Sequence, residues 1–408
     1  MSGFDPEVAC HHLTIDPTCK AIAQRRRKQS PEKTAAAELA VKDLLEASIF
    51  HRFSNLNSLD LWFDSHDLDA IIASALRDRP TLKSLSLSRI KQEDANYVDS
   101  LVSLKGLNCL QLRFSKISDD LLYSIAREVI PLKRFVLEYC IGYSYDGVYG
   151  LLSKCHGIQH LHIQGNHFLN NLHVAQLSLL LPGLVSITLS QCSKLTELAL
   201  FALIRNCPSL GEITMEHTYM RRESEENSYS LKDFHVNLQL KFLHLAHNLL
   251  IDEESIILFA NIFPNLQHLD LSYCNRVSKK SICQVLSKCC KIRHLNLAYC
   301  NEVKRLKMNI LVYHLEVLNL SGTSVRDKTI YEISKSYRGI LQLLLTRCHY
   351  ITEKGVISVV ENCTQLKEIN LRDCKKVDPC VVVLKIFVSY LLPPSLAAWV
   401  NVVASGWN

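Results

Sequence analysis

Sixteen cysteines and seventeen histidines in 408 residues are the side chains most capable of chemistry in this chain. Thiolates and imidazoles serve as zinc ligands, redox couples and nucleophile–base pairs, so their spacing is decisive. No two cysteines stand three apart, which removes the CxxC half-site of a zinc ribbon or redox motif. No HExxH or EF-hand loop occurs, and no two of the thirteen glycines stand two apart, which excludes GxGxxG; a Walker A loop is also absent. Gly142-Tyr-Ser144-Tyr-Asp lacks the second glycine of a nucleophile elbow. The cysteines instead keep a rhythm: Cys140/Cys155, Cys192/Cys207, Cys274/Cys289 and Cys348/Cys363 are each fifteen apart. The expectation is no enzyme, no cofactor and no metal.

The rhythm belongs to a larger one. From residue 56 the pattern L-x-x-L-x-L returns thirteen times, from Leu56/Leu59/Leu61 through Leu266/Leu269/Leu271 to Leu366/Ile369/Leu371. Most steps are 25 or 26 residues, with one of 30 (Met215 to Leu245) and one of 23 (Leu297 to Leu320). A fixed period of this length is the signature of leucine-rich repeats. In a strand alternate residues point to opposite faces, so in L-x-L both leucines enter the core and the middle residue faces out. Segments such as 119–128 and 281–288 carry helix-like apolar spacing and pack behind their strands. The fold class is therefore α/β: a leucine-rich-repeat solenoid, or horseshoe, of about 13 repeats. Parallel strands line its concave face and helices its convex face. One repeat cannot bury its apolar side alone, so stability comes from stacking.

Cysteine has a slot in this plan. Cys140, Cys192, Cys274, Cys300, Cys348 and Cys374 fall three residues after the last strand leucine; Cys155, Cys207, Cys289 and Cys363 precede the next motif by three. A small hydrophobe with a weak S–H donor suits such a crowded turn.

Solenoids bind through the strand face, and the outward positions supply its candidates. His160, His162, His244, His268 and His294 lie there, with His268 and His294 on equivalent places of neighbouring strands, about 4.8 Å apart in a parallel ladder. Trp62, Arg113, Arg134, Glu138, Glu212, Glu216, Asp270 and Arg372 complete the set. Exposed Trp and Arg are favoured interface anchors. The long step holds Arg221-Arg-Glu-Ser-Glu-Glu-Asn-Ser, expected as a charged rim loop that is either a specificity element or a plain insertion.

Leu266-Gln-His-Leu-Asp-Leu-Ser-Tyr-Cys-Asn and Ile292-Arg-His-Leu-Asn-Leu-Ala-Tyr-Cys-Asn resemble the cysteine-containing repeats of F-box/LRR proteins. The resemblance covers about residues 49–378, and His51-Arg-Phe-Ser-Asn-Leu is similar to the start of the repeat region in plant members. It implies a solenoid that captures a target protein, while an F-box docks on the Skp adaptor and cullin of an SCF ubiquitin ligase. No F-box pattern lies upstream of residue 49, which leaves adaptor docking open. The hormone-receptor members of the group share the scaffold, but the basic cluster of a polyphosphate site is absent.

Residues 4–47, with Cys10-His-His-Leu-Thr-Ile-Asp, Ala23-Gln-Arg-Arg-Arg-Lys and Val41-Lys-Asp-Leu-Leu-Glu-Ala, resemble the lead-in to a gypsy-type retrotransposon reverse transcriptase. The Tyr-x-Asp-Asp of its polymerase palm is missing; the nearest string, Ile117-Ser-Asp-Asp, reads as a helix start. Three regions are thus expected: a poorly ordered transposon-like segment over 1–48, the solenoid over 49–378, and a non-repeat tail over 379–408. Two functions stay open, a target-binding solenoid and a non-functional fusion product.

Composition agrees. Hydrophobic residues at 48% and charged residues at 21% suit a buried core. A net charge of +6, with 1–48 balanced at seven Lys/Arg against seven Asp/Glu, is too diffuse for nucleic acid or a membrane surface. The run Arg25–Lys28 has the composition of a nuclear import signal or of a plain solvated stretch. Met1 to Ser30 holds no apolar export signal, and Cys380 to Leu392 is too short to span a bilayer. Reduced thiols in the cytosol or nucleus are expected.

Overall fold

The structure is a computed structural model describing residues 12–16, 20–24, 56–62, 76, 81–90, 95–221, 236–303, 314–378 and 401–403. The basic run at 25–28, the charged loop beyond Arg221, and most of the segments read as 1–48 and 379–408 lie outside the described residues. The chain divides into two units, 1–189 with 205–209, and 190–204 with 210–408.

In the first unit β1 (His12–Asp16) pairs antiparallel with β2 (Lys20–Gln24), and β2 runs parallel to β3 (Ser58–Trp62). From β3 the strands are all parallel: β4 (Ser84–Ser88), β5 (Cys109–Arg113), β6 (Arg134–Glu138), β7 (His160–Gln164) and β8 (Ser186–Thr188). In the second unit β9 (Glu212–Thr214), β10 (Phe242–His244), β11 (His268–Asp270), β12 (His294–Asn296), β13 (Val317–Asn319), β14 (Gln342–Leu344) and β15 (Glu368–Asn370) are parallel too. Asn401–Val403 forms β16 beside β15. Strands β3 to β15 are the thirteen that the period predicts.

The register explains why leucine recurs. Leu59, Leu85, Leu110, Phe135, Leu161 and Ile187 form one column, and Ile213, Leu243, Leu269, Leu295, Leu318, Leu343 and Ile369 form another. All are buried. Each contributes roughly 1.5–3 kcal/mol.

Behind the strands stand α1 (Ala95–Val102), α2 (Asp119–Arg127), α3 (Tyr145–Leu152) and α4 (Asn171–Leu179). α5 (Glu197–Asn206) follows β8, and the second unit continues with α6 (Glu253–Ile262), α7 (Lys279–Lys288), α8 (Asp327–Ser336) and α9 (Glu353–Asn362). None is long and apolar enough to cross a membrane. Polar side chains satisfy the orphan N–H groups of the helix starts: Ser118, Ser144, Asn170, Asp252, Ser278 and Thr352 each accept from the first turn. Ser118 confirms the Ser-Asp-Asp string as a helix start. Ser278 exchanges bonds with Ser281, so α7 begins two residues before the start expected from apolar spacing. Caps also join repeats. The Asp119 carboxylate accepts from both the backbone N–H and the hydroxyl of Ser144 at 2.7 Å, and Asp327 does the same for Thr352 at 2.8 and 2.7 Å.

The cysteine slot has a bonding reason beyond size. The thiols of Cys140, Cys274, Cys300, Cys348 and Cys374 donate to the carbonyls of Leu112, Leu245, Leu271, Leu320 and Leu345 at 3.0–3.3 Å. Each acceptor is the last strand leucine of the preceding repeat, so the thiol ties one turn to the next. Cys155, Cys207, Cys289 and Cys363 reach preceding-repeat carbonyls of Ile130, Ser178, Phe263 and Tyr337 at 3.4–3.7 Å. Burial pushes Cys140 and Cys155 up to about 11, and Cys207, Cys289, Cys300, Cys348 and Cys363 up to about 12. Such thiols are poor nucleophiles. Cys290, by contrast, is exposed. Brief iodoacetamide treatment of the native chain at pH 8 is expected to label Cys290 and spare these nine slot cysteines, read by peptide mass mapping. Comparable labelling of Cys274 or Cys300 would refute the packing role.

Candidate functional site

The alternation that buries the leucines turns the remaining strand positions outward, and in the first unit these form a self-engaged network. The Arg113 Nε lies 3.0 Å from Glu138 Oε2, while its Nη2 donates to Gln111 Oε1 at 2.6 Å and its Nη1 to Ser86 Oγ at 3.3 Å. His160 Nδ1 is 2.7 Å from Ser186 Oγ, and His162 Nε2 is 3.1 Å from Gln164 Oε1. Burial lowers the pKa of His162. Trp62 tilts against Phe114 and lies under the Arg89 guanidinium at 5.5 Å. Arg134 is exposed. The rule that every middle residue faces solvent fails here at Ser86 and Val136, which are buried on the strand face itself, and Ser88, the outward position after Leu87, is buried too. Ser88 sits in register between the large side chains of Trp62 and Arg113, which cover it.

The second unit is different. Phe242, His268, His294 and Val317 occupy one row of the register. The His268 and His294 rings stack at 3.8 Å and 16°, and Phe242 lies 4.6 Å from His268 on its other side. Sequence equivalence brought this pair together correctly. Below it, Asp270 Oδ1 accepts from the Ser272 N–H and hydroxyl at 2.8 and 2.7 Å, and Oδ2 accepts from Asn296 Nδ2 at 2.8 Å. His268, His294, Asp270 and Asn296, with His244, Val317, Asn319 and Leu344, line a cavity of about 230 Å³. Glu212 is exposed at one end of the unit's sheet and Arg372 at the other, away from the cavity. Among the described residues no three His, Cys, Asp or Glu side chains converge as metal ligands.

Two stacked imidazoles cannot both hold a proton cheaply. Burial, the proximity of His294 and His244, and the Arg293 charge hold His268 down to about 4, against a smaller opposing pull from Glu316. His294 is lowered as well, chiefly by burial. In the unfolded chain a histidine titrates near 6.5. Between these values the unfolded state binds more protons, so stability is full above about pH 6.5 and is lost as pH falls toward 4. For this part-exposed ring, solvent screening leaves about 1–2 kcal/mol of the effect. Urea midpoints taken from pH 7 to pH 4 should fall more steeply for the native chain than for His268→Gln. Parallel slopes would show that the stack is not the acid-sensitive element.

A row that the strand pattern alone does not reveal runs beside the face. The residue after each last outward strand position adopts positive φ: Arg89, Phe114, Tyr139, His217, His247, Tyr273, Tyr299, Arg347 and Asp373 lie between 51° and 67°. That conformation costs an L-residue roughly 1–2 kcal/mol. Ring stacking offsets it. Phe114 stacks on Tyr139 at 5.3 Å in the first unit; in the second, His217, His247, Tyr273 and Tyr299 stack successively at 4.0, 4.1 and 4.4 Å. Glycine takes the slot where the row ends, at Gly165 beside Tyr139 and Gly322 beside Tyr299, since a Cβ at either would collide with the ring. The signal was present in the sequence: Tyr139, Tyr273 and Tyr299 each directly precede a slot cysteine.

No family model matches the chain. A stretch of 141 residues, 33% of the chain, is 26% identical to F-box/LRR-repeat protein 4 of Bos taurus, and the chain spans only 22% of that protein's length. Among solved structures, an internalin from Listeria monocytogenes matches with TM-score 0.53 at 12% identity, covering 82% of this chain and 89% of the other. A chain from the yeast Rad7–Elc1 complex matches with TM-score 0.48 at 17% identity, covering 88% and 85%. At these identities the likeness concerns fold alone. The thirteen registered strands and the internalin likeness give one conclusion: the chain is a leucine-rich-repeat solenoid, with a weak resemblance to an F-box/LRR protein.

Proposed function

We propose that the chain is a protein-binding solenoid that holds a target on its outward strand positions. The observation that carries this reading is the second unit's strand face, where an uncharged aromatic row borders a cavity on rigid elements. Partner anchors favour such a setting. In the first unit Trp62, Phe114, Tyr139 and the Arg113–Glu138 pair provide a second contact area. We further propose, on the repeat resemblance and the match to F-box/LRR-repeat protein 4, that this is the target-recognition part of an SCF-receptor-like protein acting in cytoplasm or nucleus. The plant character of the repeats, the transposon-like reading of 1–48 and the three-part division at 48 and 378 belong to the same proposal.

The test uses the full chain as bait in plant extract, beside a strand-face variant, Asn296→Arg, and a helix-face variant, Lys288→Glu. A specific protein should be captured by the native chain and the helix-face variant and lost with Asn296→Arg. Capture indifferent to Asn296→Arg would overturn the strand-face reading. Skp adaptor and cullin among the captured proteins would support the ligase assignment; a reproducible target without them would reduce it to a bare binding solenoid.

A further inference from the structure

The cavity of the second unit carries a charge imbalance that its stacked rings make usable. Across the outward positions of β9 to β15 and the residue two beyond each strand, the acids are Glu212, Glu216, Asp270 and Glu368. The one cation in those places is Arg372, at the far end. Glu212, Glu216 and Asp270 form no salt bridge with a described lysine or arginine. Asp270 is held by neutral donors only, which fix its position and leave its charge uncompensated. Glu216 feels that charge: burial first, and then Asp270, raise its pKa.

The walls add shape to the charge. At about 230 Å³ the space is smaller than the roughly 300–1,000 Å³ of small-molecule sites, and suits one inserted side chain. One wall is the His268–His294 row, in which Phe242 and His294 cover the two faces of His268 and leave the outer face of His294, on the Val317 side, for a further planar group. Val317 continues the same row past His294, and Leu344, Asn319 and Asn296 complete the lining with one apolar and two polar side chains. An uncharged aromatic plane beside a fixed carboxylate is the setting for a planar cation on a methylene stem. Guanidinium meets each condition: it stacks on rings, bonds carboxylate and amide oxygens through a rigid fork, and is weakly hydrated. A lysine ammonium has the charge without the plane.

We propose that this cavity receives an arginine side chain of the bound protein, its guanidinium stacked against the outer face of His294 and its charge matched by Asp270 in the lining, with Glu216, outside the lining, adding to the negative field. This rests on the reading of the strand face as a protein-binding surface and names the chemistry of the anchor. The partner is thus a segment with an arginine in a basic or neutral context, and an acidic peptide is rejected by the same carboxylates.

The experiment follows the histidine Cε1–H signals of the full chain by NMR, with His268 and His294 assigned through His→Gln variants. The probes are the capped peptides Gly-Arg-Gly, Gly-Lys-Gly, Gly-Tyr-Gly and Gly-Glu-Gly. The arginine peptide should shift both signals saturably, bind roughly fivefold to tenfold more tightly than the lysine peptide, and leave the glutamate peptide without effect. Asp270→Asn should weaken arginine binding roughly tenfold. Glu216→Gln, which leaves the Asp270 bonds intact, is the second variant, with a smaller loss expected. A tyrosine peptide binding more tightly than the arginine peptide, or arginine binding unchanged in both variants, would overturn the assignment. Target capture by the strand face with the imidazole signals unmoved by arginine would overturn the anchor and leave the broader reading intact. Saturable arginine binding would support the anchor even if Asn296→Arg left target capture unaffected.

Discussion

Leu271→Asp destabilises the second unit by more than about 5 kcal/mol and opens β10 to β12 as a block. The side chain is wholly buried, its N–H donates to Asn296 O at 2.9 Å, and its carbonyl accepts the Cys300 thiol at 3.1 Å. Truncating such a leucine costs about 2–5 kcal/mol. A carboxylate there adds the penalty of a buried charge without a partner, or of protonation to avoid it. In a repeat array stability is a sum of repeat and neighbour terms, so the damage concentrates at the altered turn and its two contacts. Hydrogen exchange should show lost protection across 242–297 with less change in 59–163. Leu271→Met, which conserves volume, should cost less than about 1.5 kcal/mol. A Leu271→Asp chain melting within a degree of the parent would refute the stacking account.

The second large effect is at Asn248, which fills the slot that cysteine takes in six of the repeats. It is fully buried and makes four bonds: Nδ2 donates to the carbonyls of Met215 at 2.7 Å and Leu245 at 2.9 Å, and Oδ1 accepts from the N–H and hydroxyl of Thr218 at 3.1 and 2.9 Å. Leucine is close in size but offers nothing to these groups. Met215 O keeps the Thr218 hydroxyl and Leu245 O the Cys274 thiol, but the Thr218 N–H loses its acceptor, so with four bonds lost at about 0.5–1.5 kcal/mol each Asn248→Leu should cost about 3–5 kcal/mol. Asn248→Cys, the residue that the repeat itself uses, retains one donor toward Met215 O and should recover a good part of that loss. Urea titrations of the three chains give the comparison. Equal midpoints for Asn248→Leu and Asn248→Cys would mean that the slot selects for size and not for its bond across repeats.

The period made the core legible, because a side-chain rhythm of two inside a step of 25 or 26 residues admits few structures. Each Leu59-type and Leu61-type position could be assigned to the core before any coordinate. Burial of the outward positions was less legible. Ser88 and Val136 are ordinary strand residues by sequence, and only their neighbours' bulk covers them. The His268–His294 pair was found because register follows from equivalence, whereas the depth of the adjoining cavity depends on Leu344 and Val317, whose types carry no functional mark. The stacked row of Tyr273, Tyr299 and their fellows was written in the sequence, but its meaning needs the positive φ that turns each ring toward the next.

The bond from a slot thiol to the carbonyl one repeat back, made by Cys140, Cys274, Cys300, Cys348 and Cys374, has an evolutionary corollary. Where two such slots bracket a repeat, the same donor meets the same acceptor on either side, so that repeat can be duplicated or deleted without leaving a polar atom stranded. A shift of a single residue inside a repeat enjoys no such protection, since it separates the slot from the leucine it serves. Lineages carrying this array should therefore vary in repeat number more readily than in repeat length. The 30-residue and 23-residue steps mark the places where that discipline has been relaxed.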